Sequence, residues 1–379
     1  MDTNMRVKAV VDLGAIRDNM ISMKKNMHEN ARMAAVIKTD AYGHGAVQVA
    51  GALEDLPFLW GYCVATFEEA QELRQSGIKK PILILGYTFP YCYAQLVEGE
   101  IRPVVFRKDT LKELDETAAR MGRNLAIHVA LDTGMSRIGV KPDDSGIDFM
   151  KAALACKSLT VEGIFTHFAR ADEESGRDAT QRQFDLFASF NKRVEEELGY
   201  HIPIQDCSNS AGIITCPQYN EDMARAGITM YGLWPSDEVS RDIVALKPAM
   251  SIYSHIAYIK EIDAGTPVSY GGTFTAPQKM TIATIPVGYG DGYPRSLSNK
   301  GYVLIHGKRA HIVGRVCMDQ FMVSLEGIPE AKEGDLVTIM GRDGDETITA
   351  EDIGRLSGRF NYEFVCDLSE KRVPREYIR

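Results

Sequence analysis

Lys38 ends the apolar string AAVIK, which puts an amine at the edge of a buried run. Partial desolvation and neighbouring cations lower the pKa of such an amine and make it a nucleophile suited to Schiff-base formation. Other polar residues sit in comparable places: Arg137 beyond IHVALDTGMS, His167 beyond EGIFT, Ser208, Asn209 and Ser210 beyond IQDC, and Arg225 and Gly227 within ARAGI, which ends at Ile228. Small and hydroxyl-bearing residues of this kind open backbone N–H donors to an anion. An imine-forming lysine with a phosphate cradle at the same strand ends points to pyridoxal phosphate. A class I aldolase would satisfy the same two observations.

Such residues need strands to hold them. Short β-branched runs at Ala34–Ile37, Tyr62–Ala65, Ile82–Leu85, Val104–Phe106, Ile127–Leu131, Glu162–Thr166, Ile204–Cys207 and Met223–Ala226 alternate with amphipathic stretches such as Phe67–Gln75, Thr110–Met121 and Gln181–Leu198. This spacing predicts an eight-stranded β/α (TIM-like) barrel, whose chemistry gathers at the carboxyl ends of its strands. An open doubly wound sheet competes, but no GxGxxG follows the first strand. After Leu246, β runs separated by Gly, Asp and Pro turns predict a mainly β C-terminal domain, with a short helix at Ala350–Ser357. The expected domains are residues 1–240 and 241–379, joined within Trp234–Lys247.

Composition narrows the function. With 43 basic and 52 acidic side chains the formal charge is 43 − 52 = −9, and no Lys/Arg block appears, which argues against a nucleic-acid or anionic-membrane partner. The first twenty residues lack a leader pattern and no stretch of about 18 apolar residues occurs, so a cytoplasmic protein is expected. The 7 cysteines are scattered without Cys-x-x-Cys, as reduced core thiols would be, and no cluster has metal-ligand spacing.

The string VIKTDAYGHG around Lys38 resembles the cofactor-lysine motif of alanine racemases, which are fold-type III pyridoxal-phosphate enzymes. The likeness continues in order through DTGMSRIG, THFARAD, SNSAG, ARAGITMYGL, PVSYGG, GYGDGYPR, GRVCMDQ and NYE, covering essentially the whole chain. It implies that Lys38 holds the cofactor and that Lys38 and Tyr270 act as two opposed acid/base groups. Tyr270 and Met318 would come from the second protomer of a homodimer. Arg225 would donate to the pyridine nitrogen, His167 would orient Arg225, and Arg137 would reach the phenolic oxygen and the substrate carboxylate. The phosphate would rest on Tyr42, Ser210, Gly227, Ile228 and Tyr362, with Asn209 beside it. Met318 would offer its backbone N–H to the substrate carboxylate, with Cys317 and Asp319 behind it.

Tyr289 and Tyr362 match the inner gate of the family's substrate channel; Asp172, Arg295 and Arg315 match its outer layer. Related serine racemases carry Asn at the position of Tyr362, so tyrosine leans towards alanine. One departure stands out. The family often has a lysine, sometimes carbamylated, where this chain has Ala130, so chloride or a fixed water is expected to support Arg137 instead. Alternatives are a serine or broad-specificity racemase, a fold-type III decarboxylase, and a non-catalytic pyridoxal-phosphate homeostasis protein on a lone barrel.

Overall fold

The computed structural model describes residues 6–379; the first five residues, part of both the expected first domain and the stretch read for a leader, lie outside the described residues. The chain forms two compact units. One comprises Ile16–Ala41 and Ala46–Lys247; the other comprises the described chain up to Ala15, Tyr42–Gly45 and Pro248–Arg379.

In the first unit eight parallel strands close a barrel in chain order: Arg32–Val36, Leu59–Val64, Ile82–Ile84, Arg102–Val105, Leu125–Ala130, Leu159–Phe165, Ile204–Asp206 and Met223–Ala226. Each expected strand overlaps one of these. Parallel barrel strands are covered on both faces and so read as continuous apolar runs, as at Leu59–Val64, where every residue is buried. Several begin earlier than their apolar runs. In the fourth strand the reason lies in Arg102, whose charge interrupts the pattern but pairs with Glu162 at 3.0 Å, with His128 3.2 Å from the same carboxylate. Helix Phe67–Gln75 starts on a Thr66/Glu69 capping box, and helix Arg177–Leu198 stops at Gly199 in the left-handed region, where glycine carries no Cβ penalty.

The second unit is mainly β. Its largest sheet runs Lys308–His311, Tyr302–Ile305, Leu336–Asp343, Met250–His255, Val7–Asp12, Arg375–Ile378, with Glu346–Ile348 paired to Leu336–Asp343. Val7–Asp12 was expected in the barrel domain; its backbone bonds instead run antiparallel to Met250–His255 and parallel to Arg375–Ile378. Pairings over such sequence distances leave no local signature. A three-stranded sheet of Tyr258–Ile262, Met280–Ile285 and Phe321–Ser324 and a two-stranded ribbon of Pro267–Val268 and Phe274–Thr275 complete the β framework. Helix Ala350–Ser357 forms at the expected bounds. Among the described residues no helix is long and apolar enough to cross a membrane.

Candidate active site

Lys38 follows the first barrel strand and opens the short helical segment Lys38–Gly43. That segment is left-handed: Thr39, Asp40, Ala41 and Tyr42 have φ between 50 and 54°. Each non-glycine residue held there costs about 1–2 kcal/mol, so its surroundings must enforce it. Glu69 accepts the Thr39 N–H at 2.6 Å, Asp40 accepts the Ala46 N–H at 2.7 Å, and the Ile37 carbonyl accepts the Ala41 N–H at 2.9 Å. Glu69 therefore ties the lysine turn to the neighbouring helix. It passed unnoticed in the sequence, where it reads as an ordinary capping glutamate.

Arg225 lies in the eighth strand and is 2% exposed. It donates to the Thr166 carbonyl at 2.7 Å and lies 3.3 Å from Nδ1 of His167, which must accept because a guanidinium only donates. Its ion-pair partner is Asp206, at the end of the seventh strand, which is fully buried and whose carboxylate has no other side-chain or backbone partner among the described residues. Burial lowers the His167 pKa well below the usual histidine value, and Arg225, Arg137 and Lys38 push in the same direction, so the ring is neutral. Burial holds the Cys63 thiol up at about 12 against the pull of Arg225 and Lys38. Three cations, Arg225, Arg137 and Lys38, thus act on His167, and one of them is paired with Asp206.

On the same unit, Asn209 caps helix Ser210–Thr215 by accepting the Gly212 N–H at 3.1 Å and donates to the Phe168 carbonyl at 3.1 Å. Ser210 Oγ accepts from the Gly227 N–H at 2.9 Å and from Thr229 at 3.0 Å, which brings the turns after strands seven and eight together; Ile228 opens the next 3-10 turn. Arg137 sits on an exposed loop folded by Asp132, whose carboxylate accepts the Gly134 and Ser136 N–H groups at 3.0 and 2.9 Å. Gln183 is a second unforeseen residue. Its amide reaches the His167 carbonyl at 3.0 Å, Thr133 at 3.3 Å and the Ala169 N–H at 2.9 Å, joining the loops after strands five and six. Asp172 lines a groove of about 620 Å³ with Arg170, Tyr219 and Glu238; burial raises its pKa, and Glu173 and Glu238 add to the rise.

In the β unit Tyr270 is 70% exposed and Met318 is 51% exposed. Both line a groove of about 690 Å³ that also includes Ser269, Cys317, Asp319 and Met322. Ser269, at φ 65°, donates to the Arg315 carbonyl at 2.7 Å and lies 3.3 Å from Cys317 Sγ, so the Tyr270 turn is tied to the Arg315–Cys317 loop. The Arg315 guanidinium lies about 3.5 Å from where a Cβ on Gly271 would stand. The Tyr289 and Gly290 N–H groups donate to the carbonyls of Cys317 and Met318 at 3.0 and 2.8 Å. A Cβ on Gly288 would meet both carbonyl oxygens at 2.3 Å, so only glycine lets these loops approach. Arg295 begins the 3-10 turn Arg295–Leu297. Tyr42 and Tyr362 meet edge to face with centroids 6.1 Å apart, and Phe360 packs against Tyr362 in a tilted arrangement at 4.4 Å.

A barrel with a lysine and buried guanidinium at its mouth, together with a β unit presenting an exposed tyrosine and methionine on interlocked loops, defines a two-unit β/α-barrel enzyme. Family models described as "Alanine racemase, N-terminal domain" and "Alanine racemase, C-terminal domain" match residues 11–235 and 249–377. The chain belongs to the alanine racemase family. It is 44% identical over 98% of both chains to an alanine racemase of Desulforamulus reducens, and 41% identical to one of Methanococcus maripaludis, again over 98% of both. The solved alanine racemase of Clostridium difficile superposes with a TM-score of 0.93 at 39% identity, covering 98% of this chain and 95% of that one. The Bacillus anthracis enzyme, solved with bound L-Ala-P, gives 0.92 at 35% identity over 100% and 96%.

Proposed function

We propose that this chain is a pyridoxal-phosphate-dependent alanine racemase that works as a cytoplasmic homodimer, interconverts L- and D-alanine, and supplies D-alanine for peptidoglycan. The observation that carries this reading is the grouping of Lys38, Arg137 and Arg225 around His167, beside the joined turns of Ser210 and Gly227. Cations beside small and hydroxyl-bearing turn residues fit a cofactor bearing a phosphate and a phenolic oxygen. When bound, pyridoxal phosphate supplies an electron-withdrawing ring that makes the substrate α-proton acidic.

Lys38 holds the cofactor and moves that proton at one face of the α-carbon, while Tyr270 of the second copy serves the opposite face. Two bases on opposite faces invert the centre without turning the substrate over. Arg225, held by Asp206 and the Thr166 carbonyl, would donate to the ring nitrogen of the bound cofactor and, by keeping its own proton, would restrain transamination. A fold-type III decarboxylase would be expected to carry an acid at that contact. Tyr42, Ser210, Gly227, Ile228 and Tyr362 hold the phosphate, with Asn209 fixing the Ser210 turn. Arg137 and the Met318 N–H bind the substrate carboxylate. The exposure of Tyr270 and Met318 on an open groove supports their use by a second copy. Tyr289 and Tyr362 form the inner gate; Asp172, Arg295 and Arg315 form the outer layer. The Tyr362 ring, packed on Phe360 and Tyr42, favours alanine over serine by narrowing the channel. Ala130 is buried and bears only a methyl, so chloride or a fixed water supports Arg137.

The test is to incubate the protein with pyridoxal phosphate, reduce with borohydride and map the labelled peptide, while following racemisation of L-alanine. A visible band lost on reduction, a label on Lys38 and formation of D-alanine are expected. Protein that stays colourless, or a label on another lysine, overturns the reading.

A further inference from the structure

We infer that Asp291, acting through Arg372, is a positioning residue that locks the Tyr289 loop to the Met318 loop and so sets affinity for the substrate carboxylate. This rests on the reading above, in which the Met318 N–H binds that carboxylate. Asp291 is 1% exposed, yet it lies in the GYGDG turn, which by composition alone is a surface loop. Its carboxylate accepts both arms of Arg6 at 2.9 and 2.6 Å, Nε of Arg372 at 2.9 Å and the Gly288 N–H of its own loop at 2.9 Å. Arg372 then reaches across with Nη2 to Asp319 at 2.6 Å, the residue next to Met318. Two guanidinium and two carboxylate charges balance, and the bidentate Arg6 contact is the strong, directional kind.

The path of Arg372 supports a positioning role. A Cβ on Gly290 would stand 2.9 Å from Arg372 Nη1 and 3.0 Å from the Met318 carbonyl oxygen, so the guanidinium lies over the residue whose N–H binds Met318 at 2.8 Å. Arg6 completes the lock by donating to the Pro286 and Arg372 carbonyls at 2.7 and 3.0 Å. Burial alone would raise the Asp291 pKa, but Arg6, Gly288 and Arg372 outweigh it and keep the carboxyl ionised. The Met318 N–H touches the substrate carboxylate before and during proton transfer alike, so misplacing it weakens binding uniformly: KM rises and kcat is spared.

The experiment measures KM and kcat for alanine on the cofactor-loaded enzyme carrying Asp291→Asn, Arg372→Lys, or Lys279→Gln as a control that breaks an exposed 2.9 Å pair with Glu261. Asp291→Asn should raise KM about tenfold with kcat within about threefold, and Arg372→Lys, which keeps the charge but loses the fork, should raise KM about threefold. Lys279→Gln should leave both constants unchanged. If the variants melt earlier but keep the wild-type KM, or lose kcat at constant KM, the proposal is overturned while the racemase reading stands. A wild-type protein that racemises no alanine overturns that reading instead. Should Asp291→Asn fail to fold, Arg372→Lys alone decides.

Discussion

Asp206 and Arg225 are opposite charges with almost no access to water. Removing one member of such a pair strands the other, at a cost of about 3–5 kcal/mol. Asp206→Asn should therefore lower the unfolding free energy of the cofactor-free protein by about that much in urea, and a loss below about 1 kcal/mol would mean that Arg225 is held by Thr166 and His167 instead. The candidates Lys38, Arg137, His167 and Arg225 could be picked from the sequence because lysine, arginine and histidine just past apolar runs are conspicuous. Asp206, Glu69 and Gln183 could not: an acid in IQDC, a capping glutamate and a helical glutamine have common bland readings, and only their contacts single them out.

Among the elements, the fourth, fifth and sixth barrel strands are cross-linked by Arg102, His128 and Glu162. Burial pushes the Glu162 carboxyl up, but hydrogen bonds from His128 and Arg102 outweigh it and hold it at about 2, below the ordinary 4.5. The resulting stabilisation is complete above that ordinary value and is lost as pH falls from there towards 2. Burial also lowers the His128 pKa from 6.5, so the unfolded chain takes up a proton that the folded ring resists, and acid weakens the fold in the same sense. Melting temperature should therefore fall more steeply between about pH 4.5 and 2 for the wild type than for Glu162→Gln. Equal slopes would exclude Glu162 as the titrating group. Gly163→Ala is expected to destabilise the barrel by about 1–3 kcal/mol, since its Cβ would stand 2.5 Å from the His128 ring; urea unfolding measures this. Barrel strands were readable as apolar runs, whereas the charged Arg102 at the start of the fourth strand hid where that strand begins.

At the scale of the molecule, the proposed sharing of sites between two copies predicts a definite recovery of activity. Mixing Lys38→Ala with Tyr270→Ala under conditions that exchange subunits makes half the dimers hybrid, each with one intact site, so about a quarter of wild-type activity should return. No recovery after verified exchange would refute the shared site. By itself the sequence determined the alternation of strand and helix, the change to β structure after Leu246, and the residues able to do chemistry, because periodicity and residue type are local properties. Tertiary structure alone decided that Val7–Asp12 joins the C-terminal strands, that four non-glycine residues after Lys38 take a left-handed turn, and that Asp206 and Asp291 are buried against arginines. Each of these depends on partners far away in the chain. Their free energies come from pairing and desolvation, which no window of neighbouring residues encodes.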